Sequence, residues 1–164
     1  MPAGAPPAET VHAVVPEDAV RERVLAFARP LIGLGGSTHY ALRPLGSAYE
    51  PFGSLESLDG SGVRLVVVPP ALVFSDYVVE VPEDDCRELG LEEPSTAAVL
   101  VVVRLHQVPV PVVNLMAPIV VHRATGAAAQ VVLQDSGYGL MVPVDAPSAR
   151  WHAPGGGEDA PCSC

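Results

Sequence analysis

Lysine is absent from this chain, and all nine of its basic residues are arginine. A Walker-type phosphate loop, a Schiff-base lysine and a kinase-type lysine all need that amine, so three chemistries are excluded together. Basic charge of any kind is scarce, with nine basic residues against nineteen acidic ones and a net charge of −10. Direct binding of nucleic acid needs a basic footprint and is not expected. Cysteine is sparse: Cys86, Cys162 and Cys164. An odd count without a distributed framework argues against a disulfide-stapled secreted fold, and Cys162-Ser163-Cys164 lacks the four ligands of a structural zinc site. Long apolar runs are missing as well. Stretches such as Ala97–Val103 fall far short of the roughly 20 residues that span a bilayer. Met1–Ala13 has no basic region leading into an apolar core, so it does not read as a signal peptide. The expected location is the reducing cytoplasm.

Valine is abundant, together with 18 prolines and 15 glycines in 164 residues. β-Branched side chains fit a pleated surface, and frequent breakers cut the chain into short pieces. The expectation is one all-β domain over residues 9–147, mainly antiparallel. It should be a small β-barrel-like fold with one short helix, eight to ten short strands and tight turns. A Pro/Ala-rich leader, 1–8, and a flexible Gly-rich tail, 148–164, are expected to be disordered.

Thr10–Val15 and Ala19–Ala28 read as first strands or as one hairpin, with a short helix as an alternative for the second. His39–Leu45, Phe52–Leu58, Val63–Val68, Tyr77–Val81 and Ala97–His106 follow as strands, the last central to the sheet. Val112–Leu115 and Pro118–His122 form a strand interrupted at Ala117-Pro118, and Ala129–Gln134 and Leu140–Val144 close the series. Pro82–Gly90 breaks the pattern. Proline at its start, three acids in its first turn and glycine at its end predict a capped helix. Period-2 alternation places Val66, Val68, Val99, Val101, Leu115, Ile119 and Val132 in the core.

Candidate chemistry is thin. Gly33-Leu34-Gly35-Gly36-Ser37 has the glycines of a phosphate cradle but no lysine and no clear strand–helix context, so it reads as a loop. The histidines, His12, His39, His106, His122 and His152, show no metal-ligand spacing. Ser136 stands in Asp135-Ser136-Gly137, a turn signal rather than a nucleophile elbow. No catalytic residue, metal site or cofactor is expected.

One charged constellation stands out. Between Asp76 and Glu93 eight acids face a single arginine, Arg87. Such a run is either a solvated helix face or a docking surface for a basic partner, because complementary charge speeds and orients association. On the second reading Asp76, Glu83, Asp84, Asp85 and Glu88 steer, while Phe74, Tyr77 and Leu91 serve as apolar anchors.

The order of segments then resembles a known family. Pro51-Phe52 leads into Leu55-Glu56-Ser57-Leu58-Asp59, and Leu65–Val68 leads to Pro70. Val73-Phe74-Ser75-Asp76-Tyr77, Val81-Pro82 and Leu89-Gly90-Leu91 come next. Ala98-Val99-Leu100, Val113–Ile119, Gln130–Leu133 and Tyr138 complete the series. From about Phe27 to Val144 this is similar to the FliW family. Phe27–Leu34 departs from that family's Phe-x-x-Gly-Leu-Pro-Gly-Phe pattern, losing one Gly, the Pro and the last Phe.

The resemblance implies a compact β-barrel-like protein without catalysis. It also implies two partners: a CsrA-like RNA-binding translational regulator, which the protein antagonises, and flagellin, whose level is thereby coupled to its translation. No membrane contact is implied, and a monomer is expected when free. Two alternatives remain at this point: a flagellin-dedicated chaperone without regulator binding, and a small-ligand-binding or enzymatic barrel.

Overall fold

The computed structural model describes residues 9–12, 19–72, 74, 77–105, 110–134 and 136–144. The leader 1–8 and the tail 148–164 lie outside the described residues. The described strands are β1 (Glu9–His12), β2 (Arg23–Phe27), β3 (His39–Pro44), β4 (Gly53–Ser57), β5 (Arg64–Val68), β6 (Val78–Val81), β7 (Ala97–Arg104), β8 (Val112–Val113), β9 (Ile119–His122), β10 (Ala127–Gln130) and β11 (Val142–Pro143). One α-helix, α1 (Glu83–Leu89), lies between β6 and β7.

Seven strands close a barrel. Their order is β7-β5-β4-β3-β2-β10-β9, and β9 returns to pair with β7 from Ala97↔His122 to Leu100↔Ile119. The barrel is antiparallel except where β10 runs parallel to β2. Closure removes the open edges that a seven-stranded sheet would otherwise expose. β8 and β11 extend the sheet beyond β7, and β1 pairs with β6 in a separate two-stranded sheet.

Of the two readings of the N-terminal segments, separate strands hold and the hairpin does not form. β1 joins β6, while β2 enters the barrel between β3 and β10. Arg23–Phe27 is a strand rather than a helix.

Two cores result. Inside the barrel, Leu25, Phe27, Tyr40, Leu42, Leu55, Val67, Leu100, Ile119 and Ala128 fill the lumen. The Phe27 and Tyr40 rings meet edge to face with centroids 5.3 Å apart. Outside it, Val99, Val101, Val103, Val120 and Ala129 are covered by Tyr77, Val79 and Val81, by Cys86 and Leu89 of α1, and by Val131, Leu133 and Val144. β7 therefore buries both faces, which is what its unbroken apolar run requires. Each fully buried Val or Leu contributes about 1.5–3 kcal/mol relative to exposure.

The expected core residues distribute over both layers. Ile119 faces the lumen, while Val68, Val99, Val101 and Leu115 lie in the outer core and Val66 packs half-buried against it. Val132 does not belong: it is 40% exposed, and Val131 and Leu133 turn inward instead. Val131, Val132 and Leu133 are all apolar, so alternation alone does not choose a face. The choice is made by Ala129, which has the same parity as Val131 and Leu133 and already faces the outer core. β10 ends at Gln130, short of the expected Gln134, because the next amides leave the ladder. Val131 N donates to Pro118 O at 2.9 Å, and Leu133 N to Met116 O at 2.7 Å.

β8 and β9 are the two halves of one interrupted strand. Leu100 faces Ile119 and Val103 faces Val113, so five residues, 114–118, span what two residues span on β7. Asn114 makes this bulge by accepting at Oδ1 from the amides of Met116 and Ala117, both at 3.1 Å. The bulge carbonyls point outward to neighbours. Leu115 O accepts from Tyr77 Oη at 2.6 Å, and Ala117 O accepts from Gln130 Nε2 at 3.3 Å. At the β9–β10 turn only glycine fits. Gly126 has φ of 81°, and a Cβ there would stand 2.7 Å from Val24 O.

Candidate partner-binding site

The acid-rich segment folds as expected. Pro82 occupies the N-cap position of α1, and Glu83, Asp84 and Asp85 fill its first turn. Gly90 closes the helix in the left-handed conformation, with its amide donating to Arg87 O. Cys86 and Leu89 face the outer core, which turns the carboxylates toward solvent.

These acids are not bare. Arg87 reaches Glu83 at 3.0 Å and Asp84 at 3.3 Å along the helix. Arg29, from the loop after β2, forks onto Asp85 and Glu88, both at 2.6 Å. Asp85 is 15% exposed and Arg29 is half-exposed, so this pair is partly withdrawn from solvent. The Asp85 hydrogen bond is the main cause that holds the Arg29 guanidinium above its usual value. Four carboxylates against two guanidinium groups leave two net negative charges on this face.

Arg29 is a neighbour of these acids that the sequence does not announce. It lies 56 residues before Asp85, and nothing local links the two. The single arginine counted within 76–93 thus becomes two in space.

The expected anchors fare differently. Phe74 is half-buried and packs against the outer core. Tyr77 and Leu91 are buried there, so neither stands on the surface as an anchor. Tyr77 is held by its hydrogen bond to Leu115 and by the Tyr138 ring, 4.7 Å away. Tyr77, just before β6, and Leu91, just after α1, both point into that core. Asp76 lies outside the described residues.

The other candidates whose side chains are described, His122, His39 and Ser136, take part in local hydrogen bonds. His122 Nδ1 accepts from the amides of Ala124 and Thr125, at 3.1 and 3.3 Å, within the β9–β10 turn. His39 Nδ1 lies 3.1 Å from Thr38 Oγ1. Ser136 Oγ donates to Leu133 O at 2.8 Å and accepts from Tyr138 N at 3.2 Å, which makes a turn. His106, Asp135 and His152 lie outside the described residues, as do Cys162 and Cys164. Gly33–Ser37 links β2 to β3, with Gly33 and Gly35 at positive φ. Among the described residues no group of three potential metal ligands occurs, and no helix is long and apolar enough to cross a membrane.

Comparison with known proteins agrees with this architecture. A crystal structure of the flagellar assembly factor FliW superposes with a TM-score of 0.67 at 20% identity, covering 80% of this chain and 89% of that one. The flagellar assembly factor FliW of Clostridium beijerinckii is 28% identical over 135 residues, 82% of this chain and 94% of that protein. Its counterpart in Syntrophus aciditrophicus is 34% identical over 116 residues, 70% of this chain and 73% of that protein. In Bacillus subtilis the counterpart is 27% identical over 124 residues, 75% and 86% of the two chains. The family model described as FliW protein matches residues 12–144, which takes in the whole barrel and its outer layer. The chain belongs to the FliW family.

Proposed function

We propose that this chain is a non-enzymatic, cytoplasmic flagellar assembly factor that acts by binding two proteins. One is a CsrA-like RNA-binding regulator, which it antagonises. The other is flagellin, which competes for it, so that free flagellin sets how much regulator is released. Membership of the FliW family supports the flagellar role. The observation that carries the regulator reading is α1, whose carboxylates stand on the surface of a chain with net charge −10. An RNA-binding partner is basic, and opposite charge raises the encounter rate. Of the three anchors first expected beside these acids, Tyr77 and Leu91 are in the core, which leaves the half-buried Phe74 as the apolar neighbour.

The test is kinetic. Glu83, Asp84, Asp85 and Glu88 are replaced together by serine, and regulator association is measured at two salt concentrations. The substitution is expected to slow association, and the wild-type on-rate should fall as salt passes about 0.15 M, where the screening length is about 8 Å. An unchanged on-rate in the variant removes α1 from the interface. Absence of any regulator binding by the wild-type chain overturns the antagonist reading.

A further inference from the structure

β1 stands apart from the barrel. It pairs with β6 alone, in a two-stranded sheet, from Glu9↔Val81 to His12↔Val78. A ladder of four residues with a single partner strand is marginal by itself. β6 does not depend on that ladder. Val79 and Val81 are fully buried in the outer core, and Tyr77, just before β6, donates to Leu115 O at 2.6 Å. Val78 N donates to Tyr138 Oη at 3.2 Å. With β1 lifted away, β6 therefore keeps its place and presents an open row of backbone amides and carbonyls, the template that strand addition uses.

β1 itself shows what that edge accepts. It is an extended segment running antiparallel to β6, so the occupant that fits is a strand. Along β6, Val79 and Val81 point into the core while Glu80 is exposed on the opposite face. The register puts Thr10 opposite Glu80. Glu83, Asp84, Asp85 and Glu88 of α1 each meet an arginine, whereas Glu80 has no ion-pair partner among the described residues. Threonine brings no charge to that cross-strand position, where arginine or lysine would pair with the carboxylate. β1 thus matches the edge through its backbone and leaves the charged position beside it unmatched.

We propose that the β6 edge is a strand-addition site for an extended segment of another protein, with a basic residue opposite Glu80, and that β1 is the chain's own replaceable occupant. A partner strand would take over the ladder and add the ion pair that β1 lacks. Its apparent affinity is set by the fraction of molecules in which β1 is away from β6.

The experiment uses the full chain and two short synthetic peptides rich in threonine and valine, identical except for one central residue, arginine or glutamate. Binding is measured by fluorescence anisotropy, and backbone amides are followed by NMR and hydrogen exchange. The arginine peptide is expected to shift the amides of Val78–Val81 and to release those of Glu9–His12 from protection. Two variants move the competition in opposite directions. Thr10→Pro with Val11→Pro removes two successive amides, and because successive amides alternate in direction, one of them faces β6. This weakens β1, so the arginine peptide should bind about fivefold more tightly. Thr10→Arg gives β1 the missing charge and should weaken the peptide by up to about fivefold. Glu80→Gln should abolish the preference for arginine over glutamate. Three results would each overturn the proposal. The first is no binding of either peptide to the proline variant. The second is equal affinity of the two peptides for the wild-type chain. The third is binding that leaves the β1 amides protected, which puts the peptide elsewhere.

Discussion

The barrel has two unlike walls. β7, β9 and β10 are packed on both faces, with the lumen on one side and the outer core on the other. β2, β3 and β4 are packed mainly on the lumen side. Their outward face carries exposed Val24 and Ala26 and the ion pairs Glu22–Arg43, Arg43–Glu56 and Arg64–Glu56. The difference is written in the local sequence. β7 reads Ala-Ala-Val-Leu-Val-Val-Val-Arg, with no polar residue until its end, whereas β3 reads His-Tyr-Ala-Leu-Arg-Pro. A strand covered twice has no solvent face to supply with polar groups.

Truncation should break this asymmetry most sharply. On β7, Leu100→Ala opens a lumen cavity and should cost about 2–5 kcal/mol, while Val101→Ala opens one in the outer core at about 1–3 kcal/mol. On β3, Leu42→Ala should resemble Leu100→Ala, but its neighbour Arg43→Ala should cost under about 1 kcal/mol, since it removes only surface ion pairs. Urea unfolding of the four variants checks the pattern. If Val101→Ala is as mild as Arg43→Ala, the outer core contributes little.

The same contrast explains what could be read in advance. Closed, mainly antiparallel β architecture, the helix at 83–89 and an interruption at Ala117-Pro118 were legible, because each has a local signal: valine runs, a Pro–acid–Gly frame, and a proline inside an apolar run. The full extent of the bulge, 114–118, and its Asn114 turn were not. The apolar run of β7 says that its second face is covered, but not by which segments. The segments that form the second layer were not legible, so Tyr77 and Leu91 read as surface anchors when they belong to the coat. Val132 was misplaced because its neighbours on both sides are equally apolar. Arg29 was missed because the contact is long-range, and charge spacing within 76–93 cannot reveal a cation that arrives from another wall.

Tyr77 ties the coat to the bulge of the β8–β9 strand, and its removal should show at the next scale. Tyr77→Phe loses the hydrogen bond to Leu115 O and leaves a buried carbonyl short of a partner, at a cost of about 1–2 kcal/mol. Burial, with a smaller contribution from Tyr138, pushes the Tyr77 hydroxyl well above its ordinary value, and burial also raises Tyr40. A tyrosine that is harder to ionise when folded adds stability while it stays neutral. That contribution is present below the unfolded value of about 10 and is lost as pH rises through the folded value. Thermal melts of the wild-type chain should therefore fall steadily above about pH 10, and Tyr77→Phe should flatten part of that decline. An identical slope in both proteins would show that Tyr77 ionises no less easily in the folded state.

Arg29 joins the two walls, and its effect should be the smallest and the most dependent on conditions. Its backbone leaves the end of β2, on the thinly covered wall, and its side chain reaches α1, which is part of the coat. An exposed ion pair contributes about 0–1 kcal/mol, but this one is a two-pronged fork and one of its carboxylates, Asp85, is 15% exposed. Arg29→Ala should cost about 0.5–1 kcal/mol at low salt, and the loss should shrink in high salt as screening weakens the pair in the wild-type chain. Arg87 gives the internal control. It pairs within the helix at i,i+4 spacing with Glu83, a contact of about 0.3–0.5 kcal/mol that links α1 only to itself. A double-mutant cycle of Arg29→Ala with Asp85→Ala measures the coupling directly, because each single change removes the same contact. Hydrogen exchange adds the readout that separates a bridge from an ordinary surface pair. In Arg29→Ala the amides of α1 should exchange faster while those of β3 and β4 keep their protection. If Arg87→Ala loosens α1 as much as Arg29→Ala does, the contact across the walls is no more than local helix support.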